Sequence, residues 1–150
     1  MFDMVDPETT RMNFLHMYDR AMHHGDYGPT IEHCKPAFAC TNPAYEIAGI
    51  DGIKRSIDMQ REAFEGLRFD INLSFATDDG IAIVWTMSGR HVKEIYGIPA
   101  SGKDFVAEGL SVHELADGKS IGGWSCGAVV DRLRANYEQA KADNSLPAEA

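Results

Sequence analysis

Hydrophobic and polar positions change period once along this chain, and the change divides it in two. In the first half the apolar positions step at helical spacing. Phe14, Leu15, Tyr18, Ala21 and Met22 mark one face of a helix. Asp6-Pro7 supplies an N-cap with proline at the first helical position, and Gly25 can end the helix. A second, short helix is expected from Pro29, stopping before Pro36. Phe38-Ala39-Cys40-Thr41 reads as a short strand closed by Asn42-Pro43. Ile53, Ile57, Gln60 and Phe64 then step by four, three and four, which predicts a third helix ending at Gly66.

From Leu67 the period is two. Leu67, Phe69, Ile71, Leu73 and Phe75 alternate with Arg68, Asp70, Asn72 and Ser74, the pattern of a strand with one wet face. Asp78-Asp79-Gly80 turns the chain into a second long strand, Ile81 to Val92, with Ile81, Ile83, Trp85, Met87, Gly89 and His91 on one face. A loop over 96–102 leads to a third long strand, Phe105 to Leu115. Asp117-Gly118 turns it into a fourth, Ile121 to Val129, and Val130, Leu133 and Tyr137 mark a closing helix.

Helices followed by a meander of long strands make an α+β fold rather than alternating βαβ. A long curved antiparallel sheet hides its inner face only where helices cover it. Three N-terminal helices over a concave face leave a pocket between them, and function is expected there. The 150 residues are one domain's worth, expected over 1–142, with 143–150 a frayed tail. Hydrophobic residues are 44% and charged residues 25%, enough apolar mass for one core and no sign of wholesale disorder.

Charge narrows the partners. Fourteen basic against 23 acidic residues leave −9, which argues against nucleic acid and anionic membrane. No apolar run is long enough to span a bilayer, and the start of the chain lacks the pattern of a signal peptide. Cys34, Cys40 and Cys126 are odd in number and without Cys-x-x-Cys spacing, so free thiols in a reducing cytoplasm are expected. Cys34 beside His33 is too little for zinc, and no metal is expected. His23-His24 reads as a helix-dipole partner, and Ser101-Gly102-Lys103 as a turn rather than a phosphate loop.

Three fragments, in order and register, resemble the SnoaL-like polyketide cyclases. The first runs Gly89-Arg90-His91-Val92-Lys93-Glu94-Ile95-Tyr96-Gly97-Ile98-Pro99-Ala100-Ser101-Gly102-Lys103. The second is Asn42-Pro43 followed by Gly49-Ile50-Asp51-Gly52-Ile53, and the third is Asp117-Gly118-Lys119 with Ile121 and Trp124. Together they span about residues 10–135. The resemblance implies the cone-shaped α+β barrel of the nuclear-transport-factor-two-like superfamily. That superfamily hosts cyclases, isomerases, dehydratases, epoxide hydrolases and plain ligand binders, so fold alone does not fix function. Its members commonly pair through the open sheet face, which implies a homodimer.

His91 is the leading candidate for chemistry. It shares a strand face with Trp85 and Met87, so it is expected to point into the apolar pocket, where desolvation keeps an imidazole neutral and able to accept a proton. In the cyclases it resembles, the corresponding histidine assists proton transfer at a polyketide carbonyl. The family's aspartate, four residues beyond the last-strand tryptophan, is Ala128 here, and the first acidic residue after Trp124 is Asp131. Asp131 and Glu108 are therefore the candidate second acids. Glu108 qualifies if Val106, Leu110 and Val112 face inward; a cross-strand ion pair is the alternative. His113, on the opposite face, is expected to be structural or at a subunit contact.

Asn42 matches a pocket-wall asparagine of the family pattern and could hold a carbonyl or enolate oxygen, or it is a strand-end turn residue. Trp85 and Trp124 would form flat walls, Tyr96 would close the mouth, and Cys126 would face the pocket. The function expected is a cofactor-independent cyclase or isomerase acting on a small hydrophobic polyketide- or terpenoid-type intermediate. The alternatives are a dehydratase or epoxide hydrolase of the same fold, a non-catalytic binding protein, and an assembly partner.

Overall fold

The computed structural model describes residues 5–42 and 45–148. Pro43 and the last two residues of the expected tail lie outside them. Along the chain come α1 (Pro7–His24), α2 (Gly28–His33), β1 (Cys34–Asn42), β2 (Tyr45–Ala48), α3 (Gly49–Ala63), β3 (Phe64–Ala76), β4 (Gly80–His91), β5 (Asp104–Ala116), β6 (Lys119–Gly127) and α4 (Val129–Ala142). The strands form one sheet in the order β2-β1-β6-β5-β4-β3. The expected α+β architecture, a curved sheet with N-terminal helices and a C-terminal helix, is the one found.

α1 begins as its sequence dictates: the Asp6 carboxylate accepts from the Thr9 amide at 3.2 Å, Pro7 follows at the first helical position, and Gly25 ends the helix. Its buried face carries Phe14, Met17, Ala21 and Met22. That face meets the inner side of β4, where Ile81, Ile83, Trp85 and Met87 are all at most 5% exposed. Leu133 of α4 and Phe105 of β5 close the same core.

Four details depart from the sequence pattern. β1 starts at Cys34, not Phe38, and runs parallel to β6, with its register broken between Cys34 and Ala39, where Pro36 cannot donate to a ladder. β2 was not expected; it is four residues long and pairs with β1 alone. α3 ends at Ala63 rather than Gly66, and Phe64 already has extended angles. Gly66 instead lies at φ 66° inside β3, where the pairing slips between Glu65 and Arg68.

The last departure moves side chains from one face to the other. β3 slips again between Ile71 and Leu73, which pair with Trp85 and Val84, so Asn72 is an extra residue. Leu67, Phe69 and Ile71 pack on the core, but Leu73 and Phe75 turn outward, 51% and 63% exposed. Ser74 faces back toward α1 and accepts from Arg11 at 3.1 Å. β5 also takes the phase opposite to the one expected: Phe105, Ala107, Ser111 and His113 are buried, and Val106, Glu108 and Leu110 are exposed.

Candidate active site

Between α1, α2, α3 and the concave sheet lies a cavity of about 130 Å³. A single water needs only ~10–15 Å³ on that measure, so the hollow is an open chamber rather than a packing defect. Met17, Ala21, Met22, Phe38, Ile53, Phe69, Trp85 and Met87 are among its apolar wall residues. No carboxylate, lysine or arginine is among the described residues that line it. Its polar groups are hydroxyls, one amide and one imidazole, and that imidazole belongs to His113.

His113 is 7% exposed, and two hydroxyls hold its ring. Nε2 is 2.7 Å from the Tyr18 hydroxyl of α1, and Nδ1 is 2.8 Å from Ser120 Oγ of β6. Phe14 meets the ring edge-on at 5.1 Å. Burial pushes its pKa down to about 4, so the ring is neutral at neutral pH. Burial pushes the Tyr18 phenol far up, so it keeps its hydrogen. Tyr18 stacks on Phe69 at 5.3 Å, which fixes the direction of its hydroxyl.

A second polar chain crosses the cavity floor. Trp85 Nε1 donates to Ser111 Oγ at 3.0 Å, and Ser111 donates to Ser125 at 3.1 Å. The indole fits because residues 109 and 127 are glycine: a Cβ on Gly109 would stand 2.1 Å from the Trp85 ring. Tyr96, at φ 54°, stacks parallel on Tyr45 at 5.0 Å, and both rings line the cavity. Cys34 and Cys40 line it as well. Their thiols are free and pushed upward by burial, Cys34 to about 12, so neither is a ready nucleophile.

The sequence candidates divide. Trp85 and Tyr96 stand in the wall. Trp124 also borders the cavity, but it pairs with Val112 and is 55% exposed. Asn42 ends β1 and is not one of the lining residues. Cys126 is exposed on the outer face, opposite Leu110, and does not face the pocket.

His91 shares the inner face of β4 as expected and is fully buried, yet it does not line the cavity. Its ring packs 5.6 Å from Phe64, which in turn stacks on Phe105 at 5.1 Å. These rings fill that end of the sheet, and neither nitrogen of His91 makes a hydrogen bond of ordinary geometry among the described residues, although the Lys93 backbone and the Glu94 charge both act on the ring.

Glu108 is exposed on the outer face because the register sets it opposite Thr86, not opposite the inward Trp85. Asp131 is exposed in the first turn of α4. Neither carboxylate stands in the hollow. His113, expected to be structural or at a subunit contact, is the one imidazole among the described residues that does. Tyr18, Ser111, Ser120 and Ser125 were not singled out from the sequence. Small and polar residues alternating with one histidine inside a β-run, Gly109, Ser111 and His113, were the available signal.

Among the described residues, no cluster of three or more ligating side chains could hold a metal, and no helix is long and apolar enough to cross a membrane. Several solved structures share the fold. TsrD from Streptomyces laurentii superposes with a TM-score of 0.77 at 25% identity, over 87% of this chain and 98% of that one. A candidate SnoaL-like polyketide cyclase from Jannaschia sp. CCS1 gives 0.71 at 17% identity, over 89% and 97%. IdmH, a candidate polyketide cyclase from Streptomyces antibioticus, gives 0.69 at 19%, over 85% and 96%. No curated protein matches the chain. The sequence profile of the SnoaL-like polyketide cyclases matches residues 13–136. With that match across most of its length, the chain belongs to the SnoaL-like polyketide cyclase family.

Proposed function

We propose that the protein is a cofactor-independent cyclase or isomerase that rearranges a hydrophobic, carbonyl-bearing intermediate of polyketide or terpenoid type. The observation that carries this reading is the Tyr18–His113 pair, 2.7 Å apart, set in a largely apolar chamber whose described lining holds no carboxylate, lysine or arginine. The chamber dehydrates a nonpolar substrate and leaves a protonated phenol to meet its oxygen. In an aldol closure the enol carbon of a β-dicarbonyl unit bonds to a second carbonyl carbon. That carbonyl oxygen takes the Tyr18 hydrogen, and the enol hydrogen restores the phenol. The product is an isomer of the substrate, and no separate carboxylate base is consumed.

This account replaces His91 with Tyr18 as the proton-transfer group. The dehydratase and epoxide-hydrolase alternatives lose their carboxylate candidates, since Glu108 and Asp131 both stand outside the hollow. The test is conversion of an aromatic β-keto ester carrying a second ketone to a product of equal mass, followed by chromatography. Tyr18→Phe is expected to lower kcat about a hundredfold, the ordinary scale for a general acid–base group. Parent-like turnover by both Tyr18→Phe and His113→Gln would overturn the assignment.

A non-catalytic small-molecule-binding role has one observation in its favour, the absence of any charged side chain among the described lining residues. Saturable binding of the β-keto ester without conversion would select it. We also propose that two copies pair through the outer face of the sheet.

A further inference from the structure

The hydrogen-bond geometry fixes the direction in which hydrogens point along the chain behind Tyr18. Ser120 Oγ accepts from the Gly122 amide at 3.1 Å and lies 2.8 Å from His113 Nδ1. Ser120 has no exposed surface, so water cannot take its hydroxyl hydrogen. Among the described hydrogen bonds, the one acceptor open to that hydrogen is Nδ1. A neutral imidazole carries one hydrogen. If Nδ1 accepts, Nε2 must donate, and the group it meets is the Tyr18 oxygen. The Tyr18 hydrogen is then turned away from His113. The opposite order would strand the Ser120 hydrogen in a sealed site, a costly arrangement.

The second chain runs the same way. An indole N–H can only donate, so Trp85 orients Ser111, and Ser111 donates onward to Ser125, which lines the cavity.

We propose that Ser120 and His113 are positioning residues that lock the Nε2–H tautomer and aim the Tyr18 hydroxyl hydrogen into the chamber, which therefore selects neutral ligands through a carbonyl oxygen. This rests on the reading of Tyr18 as the proton-transfer group. It adds the direction of the relay, the residues that set it, and the ligand chemistry. Among the described lining residues an anionic carboxylate finds no countercharge and an ammonium finds no carboxylate.

Two experiments test it, and the first is independent of catalysis. Long-range proton–nitrogen correlation spectra of histidine-labelled protein at pH 7, assigned with His113→Gln, are expected to show Nε2 protonated and Nδ1 bare. An Nδ1–H tautomer would overturn the direction. Ser120→Ala is expected to erode the Nε2–H signature, and Ser120→Thr to restore it. A signature unchanged in a folded Ser120→Ala protein overturns the role of Ser120. Should Ser120→Ala not fold, the parent tautomer still decides.

The second experiment titrates acetophenone against α-methylstyrene, which has the same shape without the oxygen. Acetophenone is expected to bind at least about tenfold tighter, the weight of one well-made hydrogen bond to a preorganised donor, and Tyr18→Phe to erase the preference. Equal affinities, or no binding of acetophenone, overturn the ligand class. If Tyr18→Phe leaves turnover intact while the tautomer is as stated, the proton-transfer reading fails and the relay direction stands.

Discussion

The two buried histidines respond to acid in the same direction and through different structures. His113 is held neutral in the fold, with its pKa down from 6.5 to about 4. The unfolded chain therefore binds a proton first as pH falls. Its contribution to stability is complete above about 6.5, declines as pH drops below that, and is exhausted near 4. A shift of that size corresponds to roughly 3 kcal/mol. Urea midpoints measured between pH 8 and 4 should fall along this limb, and His113→Gln should flatten it. His91 is lowered by burial as well and adds to the same limb. Neither of its nitrogens makes a well-formed hydrogen bond, and the Lys93 backbone and the Glu94 charge offset its burial only in part, which makes it the weaker resident. His91→Leu is accordingly expected to raise stability at pH 7 by about 1 kcal/mol while leaving turnover at the parent rate. A large loss of kcat in that variant would return His91 to the mechanism. At this scale the sequence identified a desolvated imidazole at His91, which is buried with a lowered pKa but stands outside the cavity, and missed the second one, His113, which stands in its wall. β5 is the reason: its outward set, Val106, Leu110 and Val112, is more hydrophobic than its inward set, Ala107, Gly109, Ser111 and His113. Reading hydrophobic as inward reverses that strand and carries Glu108 into the pocket. Trp85 held the correction, since an indole on the inner face needs a residue as small as Gly109 opposite it. Gly109→Ala should force the ring out of place, lowering stability by about 1–3 kcal/mol, the usual cost of overpacking, with a change in tryptophan fluorescence.

Among the elements, β3 shows why period alone could not place the side chains. Its nine-residue alternation is real, and the strand it predicts is present over Phe64–Ala76. Alternation fixes which residues share a face only while the pairing register holds, and β3 slips twice. The slip at Gly66 bends the strand straight out of α3, so a residue that looked like a helix stop is a bulge. No atom stands within 4 Å of a Cβ placed there, so the φ of 66° alone requires glycine. Gly66→Ala is expected to cost about 1–2 kcal/mol by the left-handed backbone penalty, with no loss of cavity shape. Thermal unfolding together with unchanged acetophenone affinity would check both halves of that statement. The slip at Asn72 reverses the rest of the strand, and no local signal in the sequence marks it. The elements of α1 were legible because its caps are chemical: Asp6, Pro7 and Gly25 act within a few residues. The parallel β1–β6 pairing was not, because it joins residues some 80 positions apart that only the closed sheet brings together, and β2 was not, because its four residues pair with β1 alone and carry no alternation long enough to read.

At the scale of the whole molecule, the bulge at Asn72 makes a surface. Beyond it, two apolar rows cross four strands on the outer face: Leu73, Val84, Leu110 and Cys126, then Phe75, Ala82, Val112 and Trp124. Phe75, Trp124, Leu73 and Leu110 are 63%, 55%, 51% and 41% exposed, too much contiguous apolar surface for an isolated chain to leave in water. A chain with net charge −9 repels its copies at long range, so any pairing must come from contact area rather than charge. Rows running across antiparallel strands can meet themselves under a twofold rotation, and a twofold interface needs one patch to be its own complement. The proposed homodimer follows from that match. Light scattering of the parent is expected to give twice the chain mass. Leu110→Glu with Phe75→Glu should give the monomer, because carboxylates of one sign would be buried against their copies with no cation to pair them. Neither Leu110 nor Phe75 lines the cavity, although Val112 and Trp124 of the same rows border it, so the monomeric variant should still bind acetophenone with its preference over α-methylstyrene intact. If the preference disappears with the dimer, the two faces are coupled through the strands they share. The inward Trp85, Ser111 and Ser125 alternate along β4, β5 and β6 with the outward Val84, Leu110 and Trp124, so such coupling would run through neighbouring residues of the same strands.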